Sequence, residues 1–160
     1  MKELSFSVII MLVLFIFQNS LFSQETYTHQ EAKITITIPG GWYYEVNGAT
    51  IKMCPQSNEL GIGFNLIEAS EMELAGQKVA ENIKANYPDA TFDNPTEQDI
   101  NGMKSYTIKA RTPDGTIISY TLIITPAIKI LEMGYMGHRE TIDKYNEDLI
   151  TIITGINPLN

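Results

Sequence analysis

The chain has 160 residues, a formal net charge of −8, 44% hydrophobic residues, one Cys and two His. That length carries one domain with room for a short address segment, and the acidic balance argues against non-specific nucleic-acid binding, which needs a Lys/Arg-rich surface to displace counterions. A single Cys excludes an internal disulfide framework and any Cys-based zinc site within one chain.

Met1-Lys2-Glu3 is followed by a largely apolar run of twelve residues, Phe6 to Phe17, after which Gln18-Asn19-Ser20 turns polar. A bilayer core takes about 20 apolar residues, so the run is short for a transmembrane helix and fits the hydrophobic region of a secretory signal peptide, with Lys2 as its positive start. Cleavage is expected after Ser23, giving a signal peptide over 1–23 and a single domain over 24–160. The cut removes Lys2 and Glu3 together, so the charge stays at −8. No Cys stands near the cut, which argues against a lipid anchor. The expectation is an exported protein, periplasmic or secreted, with no integral membrane segment after cleavage.

Residues 24–31 are expected to form a loose lead-in. Ala32–Ile38 then alternates strictly, with Ile34, Ile36 and Ile38 on one face and Thr35 and Thr37 on the other, which predicts a half-buried strand. Pro39-Gly40-Gly41 ends it. Trp42–Glu45 and Ala49–Met53 read as two short strands around an Asn47-Gly48 turn, and Gly61–Ile67 as another strand.

Ser70 stands three residues before Glu73, the capping-box spacing in which each side chain satisfies the other's exposed backbone N–H. Met72, Ala75, Val79, Ile83 and Tyr87 follow at helical spacing, and Pro88 stops the helix. The second half reads as strands over Thr96–Ile100, Met103–Arg111, Thr116–Thr125 and Ile128–Tyr135, separated by Asn101-Gly102, Asp114-Gly115 and Pro126-Ala127. Tyr106, Ile108 and Ala110 are expected to face the core, and Thr107, Lys109 and Arg111 the solvent. The strand through Tyr120 is apolar on both sides, so helices are expected to cover both faces of the sheet. A last helix, about Arg139 to Thr154, carries Ile142, Tyr145, Leu149, Ile152, Ile153 and Ile156 on its apolar side, with Gly155 as C-cap.

This order, with Ile38-Pro-Gly-Gly-Trp42, the Gln98–Met103 hairpin and the terminal helix through Ile142-Asp-Lys-Tyr145, resembles the Mog1/PsbP-like superfamily, including PsbP domains and DcrB-like envelope proteins. The resemblance spans nearly all of residues 30–157. It implies an α+β fold in which an antiparallel sheet of about six strands lies between helices. Functionally it implies docking, chaperone or accessory roles without shared catalytic machinery, and it carries over no functional residue.

Among residues able to do chemistry, neither Gly-x-Ser-x-Gly nor Ser-x-x-Lys occurs. Cys54 and His138 are the one nucleophile and base pair on offer, although nothing local activates Cys54. Its plainer roles are a small, partly buried filler or a thiol that pairs between chains. His138 lacks a His or Cys partner at ligand spacing, and Asp89, Asp93 and Asp99 lack a calcium-loop pattern, so no metal and no cofactor are expected. The candidate binding residues are Trp42, Tyr43 and Tyr44, where alternation sends Tyr43 to the opposite face from Trp42 and Tyr44, and a second cluster of Met133, Tyr135 and Met136. The expected function is that of an exported, non-catalytic binding or accessory protein with an envelope or secreted protein partner. The alternatives are a carrier of a small apolar ligand held between sheet and helix, and a small secreted hydrolase using Cys54 or His138. The sequence sets no oligomeric state.

Overall fold

In the computed structural model, which describes residues 23–67 and 71–159, alternating β-branched and aromatic residues build two antiparallel sheets. Strands β1 (Glu25–His29) and β2 (Ile34–Ile38) pair, and β11 (Asn157–Pro158) joins the other edge of β2. The larger sheet contains β3 (Trp42–Asn47), β4 (Thr50–Pro55), β5 (Gly61–Ile67), β6 (Thr91–Phe92), β7 (Thr96–Ile100), β8 (Met103–Arg111), β9 (Thr116–Ile124) and β10 (Ile130–His138). Its order is β3-β4-β5-β10-β9-β8-β6, and β7 also pairs with β8. The fold is α+β as expected, but this sheet has eight strands where about six were expected. The signal segment lies outside the described residues except for Ser23.

Residues 24–31 are not a loose lead-in. Glu25 to His29 run antiparallel to Ile38 to Ile34, and His29 is only 4% exposed. Its Nδ1 accepts the Ala32 N–H at 3.3 Å, which leaves Nε2 as the donor facing the Ala49 carbonyl at 3.5 Å. The β-favouring Thr26-Tyr27-Thr28 was the available signal for a strand here.

The helix α1 (Met72–Asn86) begins after an extended N-cap at Glu71 that makes no side-chain cap. Ser70, the expected capping residue, lies outside the described residues. Ala75, Gly76, Val79 and Ile83 face inward and stop at Tyr87, before Pro88. Ala75, Val79 and Ile83 share a cluster with Ile108, Ala110, Ile118, Leu122 and Ile130 on one face of the large sheet. Each fully buried Val or Ile stabilises this layer by about 1.5–3 kcal/mol.

The opposite face is covered by more than helix. Ile34, Ile36 and Ile38 of the small sheet meet Ile51, Phe64, Leu131 and Met133, together with Leu149 and Ile152 of the terminal helical region. That region is two segments, α2 (Arg139–Lys144) and α3 (Asn146–Thr154), divided at Tyr145. On this face Thr107 is buried, contrary to its expected solvent position, and its hydroxyl lies 3.0 Å from that of Thr121. Pairing two hydroxyls across strands satisfies groups that isolated burial would penalise.

Two turn residues do more than reverse the chain. Asn101 and Gly102 take φ values of 52° and 84°, as their hairpin requires, and Asn101 Nδ2 donates to the carbonyls of both Thr154 and Ile156 at 2.8 Å. Gly155 caps the terminal helix with φ −87°, so it is not there for a left-handed bend. It is there for space: a Cβ would stand 2.4 Å from the Thr37 side chain.

Candidate functional site

Register and pleat decide which side chains share the surface that α1 leaves open. The helix packs on β8 and β9, so the same face of β3, β4 and β5 carries no helix. Tyr43 pairs with Cys54, Glu45 with Lys52, Lys52 with Gly63, and Gly63 with Gly134. Met136 pairs with Gly61, which places it on this same face. The result is an open shelf of about 510 Å³ lined by Tyr43, Glu45, Lys52, Cys54, Gly61 and Gly63. A Cβ built on Gly61 or Gly63 meets nothing within 4 Å, so the two glycines leave the strand floor bare.

One border of the shelf is formed by Tyr120, whose ring covers Gly134, and by Tyr87, whose hydroxyl lies 3.7 Å from Met136 Sδ. A polar row runs across the far end. Thr50 Oγ1 donates to Asn65 Oδ1 at 2.9 Å, and Asn65 Nδ2 donates to Glu132 Oε1 at 3.4 Å. Burial pushes the Glu132 carboxyl above its ordinary pKa, against a smaller lowering by Asn65, and burial likewise raises the Tyr120 phenol. The shelf is therefore apolar along one side and hydrogen-bonding along the other, which suits contact with a partner that presents both kinds of surface.

The six candidate residues divide. Tyr43 is 58% exposed and Met136 44% exposed, and the fold brings them to the same open face. Tyr44 is 40% exposed but faces the other way, its ring 5.7 Å from that of Tyr27. Tyr135 packs against the core beneath the opposite face. Met133, at 1% exposure, is a core residue, so the expected Met133, Tyr135 and Met136 surface cluster does not form. Strand alternation is the reason: residues 133 and 135 point opposite to 136.

Trp42 is buried as well and serves a different junction. Its Nε1 donates to Asp148 Oδ2 at 2.9 Å, and its ring meets Tyr145 edge-on at 5.9 Å. Tyr145 in turn donates to Glu59 Oε2 at 2.7 Å and shares a hydrogen bond with Ser57, while Lys144 pairs with Glu59. Hydrogen bonds from Lys144, Tyr145 and Ser57 hold the Glu59 carboxyl down to about 2. No sequence spacing announced this junction, because its members come from a strand, a loop and two helices.

The nucleophile and base pair is not assembled. Cys54 lies on β4 and His138 at the end of β10, with β5 between them, and the thiol faces Asn58 Oδ1 at 3.3 Å. Asp93 pairs with Arg111, and Asp99 accepts the Gly102 N–H, so two of the three acids weighed for calcium have other partners. Among the described residues no group of three His, Cys, Asp or Glu has metal-binding geometry, and no helix is long and apolar enough to cross a membrane.

No family model matches the chain, and no curated protein matches it. Solved structures do. The cyanobacterial PsbP protein CyanoP of Synechocystis sp. PCC 6803 aligns with TM-score 0.63 at 14% identity, over 85% of this chain and 92% of that one. LpqN of Mycobacterium tuberculosis, a protein involved in cell envelope biogenesis, aligns with TM-score 0.55 at 10% identity, over 85% and 90%. PA94 of Pseudomonas aeruginosa, of unknown function, aligns with TM-score 0.50 at 10% identity, over 82% and 94%. The fold is PsbP-like.

Proposed function

We propose that this chain is an exported, non-catalytic accessory protein of the cell envelope that docks a protein partner on the open half of its large sheet. The observation that carries the reading is the bare shelf beside Tyr43 and Met136, where the helix layer stops and apolar side chains stay exposed. Surfaces of this kind on otherwise well-packed domains mark interaction sites. The separation of Cys54 from His138 leaves the nucleophile and base pair of the hydrolase reading unassembled. The involvement of LpqN in envelope biogenesis supports an envelope setting by analogy of fold. The apolar run and the expected cut after Ser23 support export, and that cut leaves β1, starting at Glu25, complete.

The test fills the shelf without disturbing the fold. Gly61→Leu and Gly63→Leu project side chains into open space, so both variants are expected to fold as the parent does. Each should abolish co-purification of the envelope partner recovered with the parent chain, and the N-terminus of the exported protein should be Gln24. Partner recovery unchanged by both substitutions would remove the shelf from the account.

A further inference from the structure

A second concavity lies at the other end of the same sheet face, between the first half of α1 and the edge formed by β6 and β7. Two hollows of about 620 Å³ and 490 Å³ share Met72, Glu97 and Tyr106 and so make one elongated groove. Its floor is apolar: Gly76, Phe92, Tyr106 and Ile108 line the larger hollow. Gly76 lets the helix approach closely, since a Cβ there would stand 3.3 Å from Tyr106 Cε1.

The rim is acidic. Glu73, Asp93 and Glu97 border the larger hollow and Asp99 the smaller one, where among the described residues Lys104 is the only basic one in the lining. Asp93 is paired with Arg111, whereas among the described residues neither Glu73 nor Glu97 has a cation at ion-pair distance. The outer wall is an open strand edge, since among the described residues β7 pairs with β8 alone.

From this combination we propose that the groove takes an extended polypeptide segment in which apolar residues alternate with Lys or Arg. The apolar side chains cover Tyr106 and Phe92, and the cations reach Glu73 and Glu97. Charge complementarity selects this occupant over a second copy of the chain, which would bring another body of charge −8 against an acidic rim. The groove's length and open side select it over a small apolar ligand, which is held in pockets that enclose most of its surface. This site is distinct from the shelf proposed above.

The probe is a short fluorescein-labelled peptide alternating Leu and Lys, measured by anisotropy at an ionic strength of about 0.15 M. A peptide alternating Gly and Lys controls for charge alone. The Leu/Lys peptide is expected to bind about tenfold more tightly than the Gly/Lys peptide, and Glu73→Lys with Glu97→Lys should weaken it by about tenfold or more. Glu73→Gln with Glu97→Gln keeps the helix start free of added positive charge and should weaken binding in the same direction. Reversing two exposed acids elsewhere, Glu140→Lys with Glu147→Lys, should have little effect, and Gly61→Leu none. Equal weakening by both pairs of reversals, or equal affinity for the two peptides, would reduce the attraction to general charge and overturn the proposal. Binding of an uncharged apolar dye that the Glu73 and Glu97 variants leave unchanged, without peptide binding, would overturn it in favour of a small ligand.

Discussion

The ring of Tyr120 lies against the backbone of Gly134 on the neighbouring strand, so close that a Cβ on residue 134 would stand 2.5 Å from Tyr120 Cε1. This contact marks the line where the helix-covered half of the sheet meets the open shelf. Gly134→Ala is expected to destabilise the protein by about 1–3 kcal/mol through overpacking. In a Tyr120→Ala background the same substitution should cost much less, because the obstructing ring is gone. Urea denaturation of the four proteins measures the coupling, and an equal cost in both backgrounds would deny that the ring sets the requirement.

Trp42 is the single Trp of the chain, which makes its junction directly observable. Asp148→Ala removes the acceptor of Trp42 Nε1 and leaves a largely buried N–H unpaired. The expected loss is about 1–3 kcal/mol, with fluorescence emission shifting to the red as the ring gains contact with water. Unchanged emission and stability would mean that Asp148 does not hold the indole.

Ile128 occupies the tip of the hairpin between β9 and β10 with φ 59°, and is 89% exposed. The turn is closed by Thr125 N–H to the Lys129 carbonyl and Ile128 N–H to the Thr125 carbonyl, both at 2.9 Å, so the backbone is held in a region that a β-branched side chain disfavours. Ile128→Gly is expected to raise stability by about 1 kcal/mol, the strain relieved exceeding the flexibility added to the unfolded chain. A thermal melt that moves downward would contradict this.

Two carboxyls should act on stability in opposite senses. Glu59 is held down to about 2 from an ordinary 4.5, so its contribution is fully present above about 4.5 and is lost as pH falls toward 2. Glu132 is raised by burial, so its ionisation opposes folding, and that penalty grows as pH rises through the folded-state value. Glu59→Gln should therefore lose stability relative to the parent at neutral pH and converge with it in acid. Glu132→Gln should gain on the parent as pH rises. Carboxyl NMR titration with stability measured across pH checks both, and matching profiles for the two variants would contradict the assignment.

Periodicity made the large elements legible. Ile34, Ile36 and Ile38, the stripe Ala75, Val79, Ile83, and the Asn101-Gly102 turn all lie as their spacing predicts, because each is set by local geometry. The site was legible only in part. Alternation separates Tyr43 from Trp42 and Tyr44, as the fold does, but does not say that Trp42 is buried; the cluster of Met133, Tyr135 and Met136 rests on residue type alone, and the pleat divides it. The shelf itself depends on Gly61, Gly63 and Gly134 coming together from two strands, and on α1 stopping short of them. Neither the register between β5 and β10 nor the reach of a helix is written in local pattern. His29 was missed for the same reason, since its burial comes from β2 and from the Ala49 carbonyl.

The proposed docking surface is the open half of the large sheet. In-cell photo-cross-linking with a benzophenone side chain placed at Tyr43 tests it most directly, with Ile150, an exposed residue of α3, as the control position. The expected result is one discrete envelope protein cross-linked from position 43, lost when Gly63→Leu fills the shelf, and no such product from position 150. The same products from both positions, or a product from position 43 that survives Gly63→Leu, would contradict it.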